Sequence, residues 1–331
     1  MKRIFILVAI ALFTAGSLFA DEAVLIDFSK LVADIVPNQD NVPTQNRVTM
    51  MDYSNVAGGS FTTEQKAVMK TSLAITNWDV VLASSSRTVE NQIRSYTTEA
   101  PSKQYGTVMG VRIHFPVEPF NSWARINPPC EIPAYEAAAD VDVEGNIRPV
   151  EGDSTSATGL SRFEDGYGVV KNVGTIKSVA VNAYGLNFPH GLSACILDST
   201  GREQTMFLGY LNYDGWGELR WDNPQYIQAV RNRELRIYPL YPTTTPFIKF
   251  NGFLIQRDAA KEGGDFVGYF KDVKVIYDRA VLDTDRDIDD EAIWGIIETR
   301  ETEKKRWELS RFGAQQVLRY LESQKQATET D

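Results

Sequence analysis

Very few side chains in this sequence are suited to carry chemistry. Its 331 residues include two histidines, His114 and His190, and two cysteines, Cys130 and Cys195. A zinc site or dithiol redox centre needs His and Cys clustered at short spacings, and no CxxC pair is present. The GxSxG, HExxH and P-loop patterns are absent as well. Gly166-Tyr167-Gly168 lacks both the third glycine and the strand-to-helix setting of a dinucleotide site. His114 falls in the apolar run TVMGVRIHF and His190 in the turn NFPHGL, positions that suit packing better than proton transfer. Paired carboxylates are the one catalytic arrangement that 44 acidic residues leave open, and nothing singles out a pair. These residues therefore read as a protein that is not an enzyme.

The acid-rich run Asp283, Asp285, Asp287, Asp289, Asp290, Glu291 does not make a calcium loop. With Asp283 in the first position, the sixth is Ile288 instead of Gly and the twelfth is Trp294 instead of Glu. Carboxylates there suit the start of a helix, where unpaired amides favour negative charge by about 0.3 to 1 kcal/mol. The stretch that follows is polar and helix-favouring. Along it Ile293, Trp294 and Ile297 form one apolar cluster, and Trp307, Ala314, Val317, Leu318 and Leu321 form a second, separated by the charged ETRETEKKR. So sparse a stripe suits a helix that docks partly on a partner, and Trp294, Trp307, Leu318 and Leu321 are the candidate contacts. Arg231 and Arg233, in the basic cluster RNREL of an otherwise acidic chain, are further candidates for pairing with an acidic neighbour.

The elements that must position these residues are mostly strands. Runs at 23–28, 78–83, 107–115, 175–183, 192–197, 204–211, 247–256 and 266–277 are rich in β-branched and aromatic residues, several of them alternating. Asp198, Ser199, Thr200 and Gly201 make the runs at 192–197 and 204–211 a hairpin, with Gly201 supplying the left-handed residue. No helices separate the strand runs, which predicts an antiparallel β-sandwich of jelly-roll type instead of a parallel α/β sheet. Two polar stretches, 37–63 and 140–161, read as long surface loops. A single helical turn is expected at 226–230. The predicted organisation is a β-sandwich over 21–282 followed by an acidic linker and C-terminal helix over 283–331.

Residues 1–20 stand outside that body. Lys2 and Arg3 precede ten apolar residues and a small-residue approach to Ala20, the pattern of a cleavable signal peptide. Ten apolar residues are too few to span a bilayer, and no cysteine follows to take a lipid, so the mature form is expected to be exported and free of a membrane anchor. Removing Lys2 and Arg3 takes the net charge from −10 to −12. That charge excludes a constitutive nucleic-acid binder, which needs a basic face to displace counterions. Export also means oxidising surroundings, where Cys130, in the loop INPPCEIP, and Cys195, in the strand LSACIL, are a candidate disulfide, with a buried free thiol the alternative for Cys195.

The order VLIDF, YLNYDGWGELRW, FNGFLIQ, GDFVGYFKDVKVIYD resembles the strand order of jelly-roll carbohydrate-binding domains. In that family a carboxylate near the first strand and one in the last often share a structural cation. The resemblance therefore implies a structural calcium at Asp27 and Asp272, with no other cofactor. Trp78, Trp123, Trp216 and Trp221 are the aromatic faces on which sugar rings could stack.

A closer resemblance runs through longer blocks: TNWDVVLASSSRT (76–88), RFEDGYGVVKNVGTIKSVAVNAYGLNFPHGL (162–192), FLGYLNYDGWGELRWDNPQYIQAVRNRELRIYPLYP (207–242) and PFIKFNGFLIQRDAAKEGGDFVGYFKDVKVIYDRA (246–280). These are similar to the spirochaetal flagellar filament outer-layer, or FlaA-type sheath, proteins, over nearly the whole chain. The resemblance implies a non-enzymatic periplasmic subunit that coats the flagellin core, assembles with itself and other sheath subunits in a helical array, and contributes to filament stiffness, shape and motility. An exported peptidoglycan- or glycan-binding module is the alternative.

Overall fold

A computed structural model describes residues 20–31, 73–132, 134, 139–141, 147–149, 163–229, 246–261 and 263–280, with isolated positions 62, 65, 303, 307, 318, 321, 322 and 325. The strands in chain order are β1 (Asp21–Asp27), β2 (Asp79–Leu82), β3 (Tyr96–Ser102), β4 (Gly106–Phe115), β5 (Ser122–Asn127), β6 (Ala139–Val141), β7 (Ile147–Pro149), β8 (Val169–Lys171), β9 (Val173–Leu186), β10 (Gly191–Asp198), β11 (Glu203–Tyr210), β12 (Asp214–Asp222), β13 (Phe247–Arg257) and β14 (Gly264–Arg279), and a short helix, α1 (Val89–Ile93), lies between β2 and β3.

Twelve of these strands form two antiparallel sheets. Sheet 1 has the order β12-β9-β14-β4-β3 with β1 also on β14, and sheet 2 the order β11-β10-β13-β5-β2 with β8 also on β13. The chain passes repeatedly from one sheet to the other, as in β9 to β10 and β13 to β14, which makes the predicted antiparallel sandwich. Both central strands are long enough to serve two neighbours in succession along one flank. Residues 264–270 of β14 pair with β4 and 272–277 with β1, while residues 247–249 of β13 pair with β8 and 253–257 with β5. Each handover is marked by a bulge, at Lys271 in β14 and close to Gly252 in β13.

The inward residues of the two sheets close over one hydrophobic cluster. At its centre Phe28 meets Trp78 edge-on at 5.5 Å, Phe250 and Phe253 lie 4.9 Å apart, and Phe253 stacks on Phe270 at 4.6 Å. Burying each such ring stabilises the fold by about 1.5–3 kcal/mol relative to leaving it in water. Trp78 can be buried because its indole N–H donates to the Leu73 carbonyl at 2.9 Å.

The predicted hairpin is present. Asp198 Oδ1 accepts from Thr200 N and Arg202 N at 2.9 and 3.0 Å, and Gly201 has φ +80°. Residues 226–229 are helical, as expected. The stretch 140–161 is more than a loop, because its first part contributes to the antiparallel pair β6–β7. Of the other expected loop, 37–63, only residue 62 is among the described residues.

Candidate functional site

The two acidic residues marked in the sequence come together at the handover in β14. Asp27, the last residue of β1, is the register partner of Asp272. Lys271 is the bulge residue, so it and Asp272 both face Asp27. Its ammonium donates to Asp27 Oδ1 at 2.6 Å, lies 3.4 Å from Ser29 Oγ and stands 3.7 Å from Asp272 Oδ2. Asp27 also accepts from the backbone N–H and hydroxyl of Ser29 at 3.0 and 2.7 Å. Burial raises the pKa of Asp27, but the bonds from Lys271 and Ser29 outweigh it and hold the carboxyl below its ordinary value. Asp272 goes the other way: burial raises it, the more distant ammonium does not compensate, and Oδ1 has no hydrogen-bond partner.

The resemblance to jelly-roll sugar-binding domains implied a cation shared by these carboxylates. Here the space between them holds the ammonium of Lys271, and among the described residues no group of three or more His, Cys, Asp or Glu gathers to hold a metal. The donor set does not fit a divalent ion while Lys271 occupies it. Cys130 and Cys195 are both buried and are not joined in a disulfide. Burial pushes the Cys195 thiol up in pKa, and its Sγ lies 3.8 Å from Thr205 Oγ1.

The four tryptophans are sorted by the pleat. Trp78 lies in the core and Trp221 packs against it, whereas Trp216 and Trp123 stand on the outer faces of sheets 1 and 2 respectively. On sheet 1 the outer face carries a chain of rings, Tyr105–Trp216 at 4.8 Å, Trp216–Tyr184 at 5.4 Å and Tyr184–Tyr269 at 6.0 Å. Beside them, Asp265 accepts from Arg112 at 2.8 Å and from His114 Nδ1 at 2.7 Å, with Arg94 at 3.4 Å. The Arg112 bond, with help from His114, holds Asp265 at about 2. On sheet 2 the register aligns Tyr210, Gly191, Gln256 and Trp123 in one row. Phe207, Tyr210 and Trp123 are each a little under half exposed, and the Phe207 ring lies over Gly191, where a side chain would collide with it. Next along the face, Arg125 forks onto Glu203 at 2.8 and 2.6 Å, and Asn251 donates to the same carboxylate.

A cleft of about 480 Å³ lies by β1 and β8, lined by Glu22, Lys30, Glu164, Lys171 and Tyr277 among others. Its charges engage the protein itself: Lys171 meets Glu164 at 3.0 Å and Lys30 donates to the Asp165 carbonyl at 2.6 Å.

None of these clusters joins a nucleophile, a base and an oxyanion donor, and both sheets present built outer faces. Comparison with known proteins fits that picture. The model of the family described as "Flagellar filament outer layer protein Flaa" matches residues 43–286. The chain belongs to this family. It is 52% identical to a flagellar filament outer layer protein of Treponema pallidum, over 99% of this chain and 95% of the relative. To one of Spirochaeta aurantia it is 48% identical over 100% and 95% respectively. Among solved structures, a galactotriose complex of TmCBM61 aligns with 61% of this chain and 88% of its own, at 8% identity and a TM-score of 0.27, a likeness too slight to bear on ligands.

Of the contact residues marked in the sequence, Trp307, Leu318 and Leu321 are at helical positions and exposed. Trp294, Arg231 and Arg233 lie outside the described residues, as do residues 1–19. Sequence reasoning missed Lys271, Arg125 and Glu203. The first had a signal: the buried apolar and glycine positions in β14 are Phe266, Gly268 and Phe270, then Val273, Val275 and Tyr277, so their alternation changes phase across Lys271-Asp272, of which Asp272 is buried as well. The Arg125–Glu203 pair joins residues 78 apart and has no local signature.

Proposed function

We propose that this chain is a structural subunit of the outer layer of a periplasmic flagellar filament. It has no catalytic role, coats a flagellin core, and adds to filament stiffness, filament shape and cell motility. The observation that carries this reading is the near-full-length match to flagellar filament outer layer proteins of two spirochaetes. The molecule's two outer faces of different chemistry support it. A coat subunit needs separate surfaces for the core and for its neighbours, joined by heterologous contacts that do not close. Residues 1–20 act as the export signal, 21–282 as the sandwich body and 283–331 as a linker and helix that contacts the core or a neighbouring subunit through Trp294, Trp307, Leu318 and Leu321, with Arg231 and Arg233 as a further contact.

Electron microscopy of filaments from cells with and without the protein tests the main reading. Loss of an outer layer is expected, and filaments of unchanged diameter would overturn it. Deleting residues 283–331 tests the tail. A truncated protein that folds but no longer coats filaments is expected, whereas normal coating would remove the tail from the interface.

A second reading, glycan binding, is favoured by one observation: the row Tyr210, Gly191, Gln256, Trp123 sets exposed rings on either side of an amide. Retention on peptidoglycan or glycan but not on purified core filaments would favour it over the sheath reading.

A further inference from the structure

We propose that Lys271 is a tethered cation, which does in this fold the work that a bound divalent ion would otherwise have to do between Asp27 and Asp272. The inference stands apart from the sheath reading and rests on the handover in β14. There the neighbour of β14 changes from β4 to β1, and the chain places two carboxylates in register on adjacent strands. Both are largely removed from water, with side-chain exposures of 17% for Asp27 and 12% for Asp272. Two such charges repel each other in a medium that screens poorly, and one must be neutralised by a proton or both by a cation.

The bulge at Lys271 provides the cation from within the chain. It breaks the alternation of β14, so that Lys271 and Asp272, which would otherwise point to opposite faces, turn to the same one. The ammonium, on a side chain 12% exposed, then reaches both carboxylates and the Ser29 hydroxyl, using donors that a metal would replace with coordination bonds. One ammonium balances only one of the two carboxylates. Accordingly Asp27 Oδ1 accepts from Lys271 and twice from Ser29, while Asp272 sits at 3.7 Å with Oδ1 unpaired. A covalently attached charge needs no uptake from solution, so β1 can close onto β14 whatever ions surround the chain.

Thermal unfolding of the full-length protein tests this, in EDTA and in millimolar calcium or magnesium. The unaltered protein should unfold at the same midpoint in all three. Lys271→Ala removes the ammonium and its stem and should lower the midpoint in EDTA by about 5 to 10 °C, with part of the loss restored by calcium. Adding Asp272→Asn to that variant should abolish the calcium response. A midpoint of the unaltered protein that rises with calcium or falls in EDTA would overturn the proposal, as would a Lys271→Ala protein that calcium does not stabilise. If Lys271→Ala does not fold, Lys271→Arg serves in its place: it keeps the charge and should fold and ignore chelator, and calcium dependence in that variant would equally sink the idea.

Discussion

The β1–β14 seam and the surroundings of His190 handle buried polarity in opposite ways. At the seam Asp27, Lys271 and Asp272 are gathered within reach of one another, and bonds from Lys271 and Ser29 hold Asp27 below its ordinary pKa. Around His190 the same sandwich encloses an imidazole, 4% exposed, among Phe115, Phe188 and Phe266, with ring separations of 5.1, 6.0 and 4.9 Å. Neither ring nitrogen has a hydrogen-bond partner. Burial, reinforced by the nearby positive charge of Arg257, lowers its pKa to about 4, so the ring stays neutral under ordinary conditions. Arg257 cannot discharge in this way. It is 1% exposed, and its guanidinium donates to the carbonyls of Glu118 and Lys261, both at 3.0 Å, and to that of Pro116. A group that can lose its charge does so where no partner reaches it, and one that cannot is surrounded by acceptors.

The contrast breaks most severely at Arg257. Arg257→Ala leaves three carbonyls without their donor and opens a cavity, and a loss of about 3–5 kcal/mol is expected in urea unfolding. A loss below about 1 kcal/mol would mean that water replaces the guanidinium readily.

The next effect is read through pH. In the unfolded chain His190 titrates near 6.5 and in the folded one near 4, so between these values the unfolded state binds the extra proton. Stability is therefore fully present above pH 6.5 and is lost as pH falls towards 4, by roughly 3 kcal/mol over the whole interval. His190→Phe should remove this fall. The seam should respond far less, because its carboxylates oppose each other. Asp27, lowered, contributes stability that is lost as pH drops below its ordinary range, while Asp272, raised, takes up a proton more readily when folded and favours the folded state as pH drops. Denaturant midpoints measured from pH 7 to 4 check the His190 statement, and extending them to pH 2 checks the seam. Unchanged pH dependence in His190→Phe would place the acid-sensitive group elsewhere.

The smallest effect belongs to the surface. The Arg125–Glu203 fork is about 30% exposed on both sides, and Glu203→Gln should cost about 1 kcal/mol or less, diminishing with added salt. A loss as large as that of Arg257→Ala would show that this face is effectively dry.

Much of the fold is legible in the sequence because burial alternates locally. Eight apolar runs mark eight strands of the sandwich. The four strands outside those runs have weak patterns: β3, YTTEAPS, which carries Pro101 at a sheet edge; the short β5, SWARIN; the three-residue β8; and β12, DGWGELRWD, which entered only through the resemblance to carbohydrate-binding domains. The long central strand was read as one uninterrupted run. Its phase change at Lys271 is visible in the letters, yet only pairing to β1 gives it meaning.

By itself the sequence determined the strand-rich character, the absence of catalytic motifs, the excess of negative charge and, through long blocks of similarity, the family. Local patterns suffice for these because each depends on neighbouring residues or on composition. The tertiary structure alone decided which tryptophans face the core, why His190 is neutral, and what stands between Asp27 and Asp272. Those outcomes depend on register between distant strands: Lys271 meets a carboxylate 244 residues away, and no property of either segment alone specifies the charge it will face.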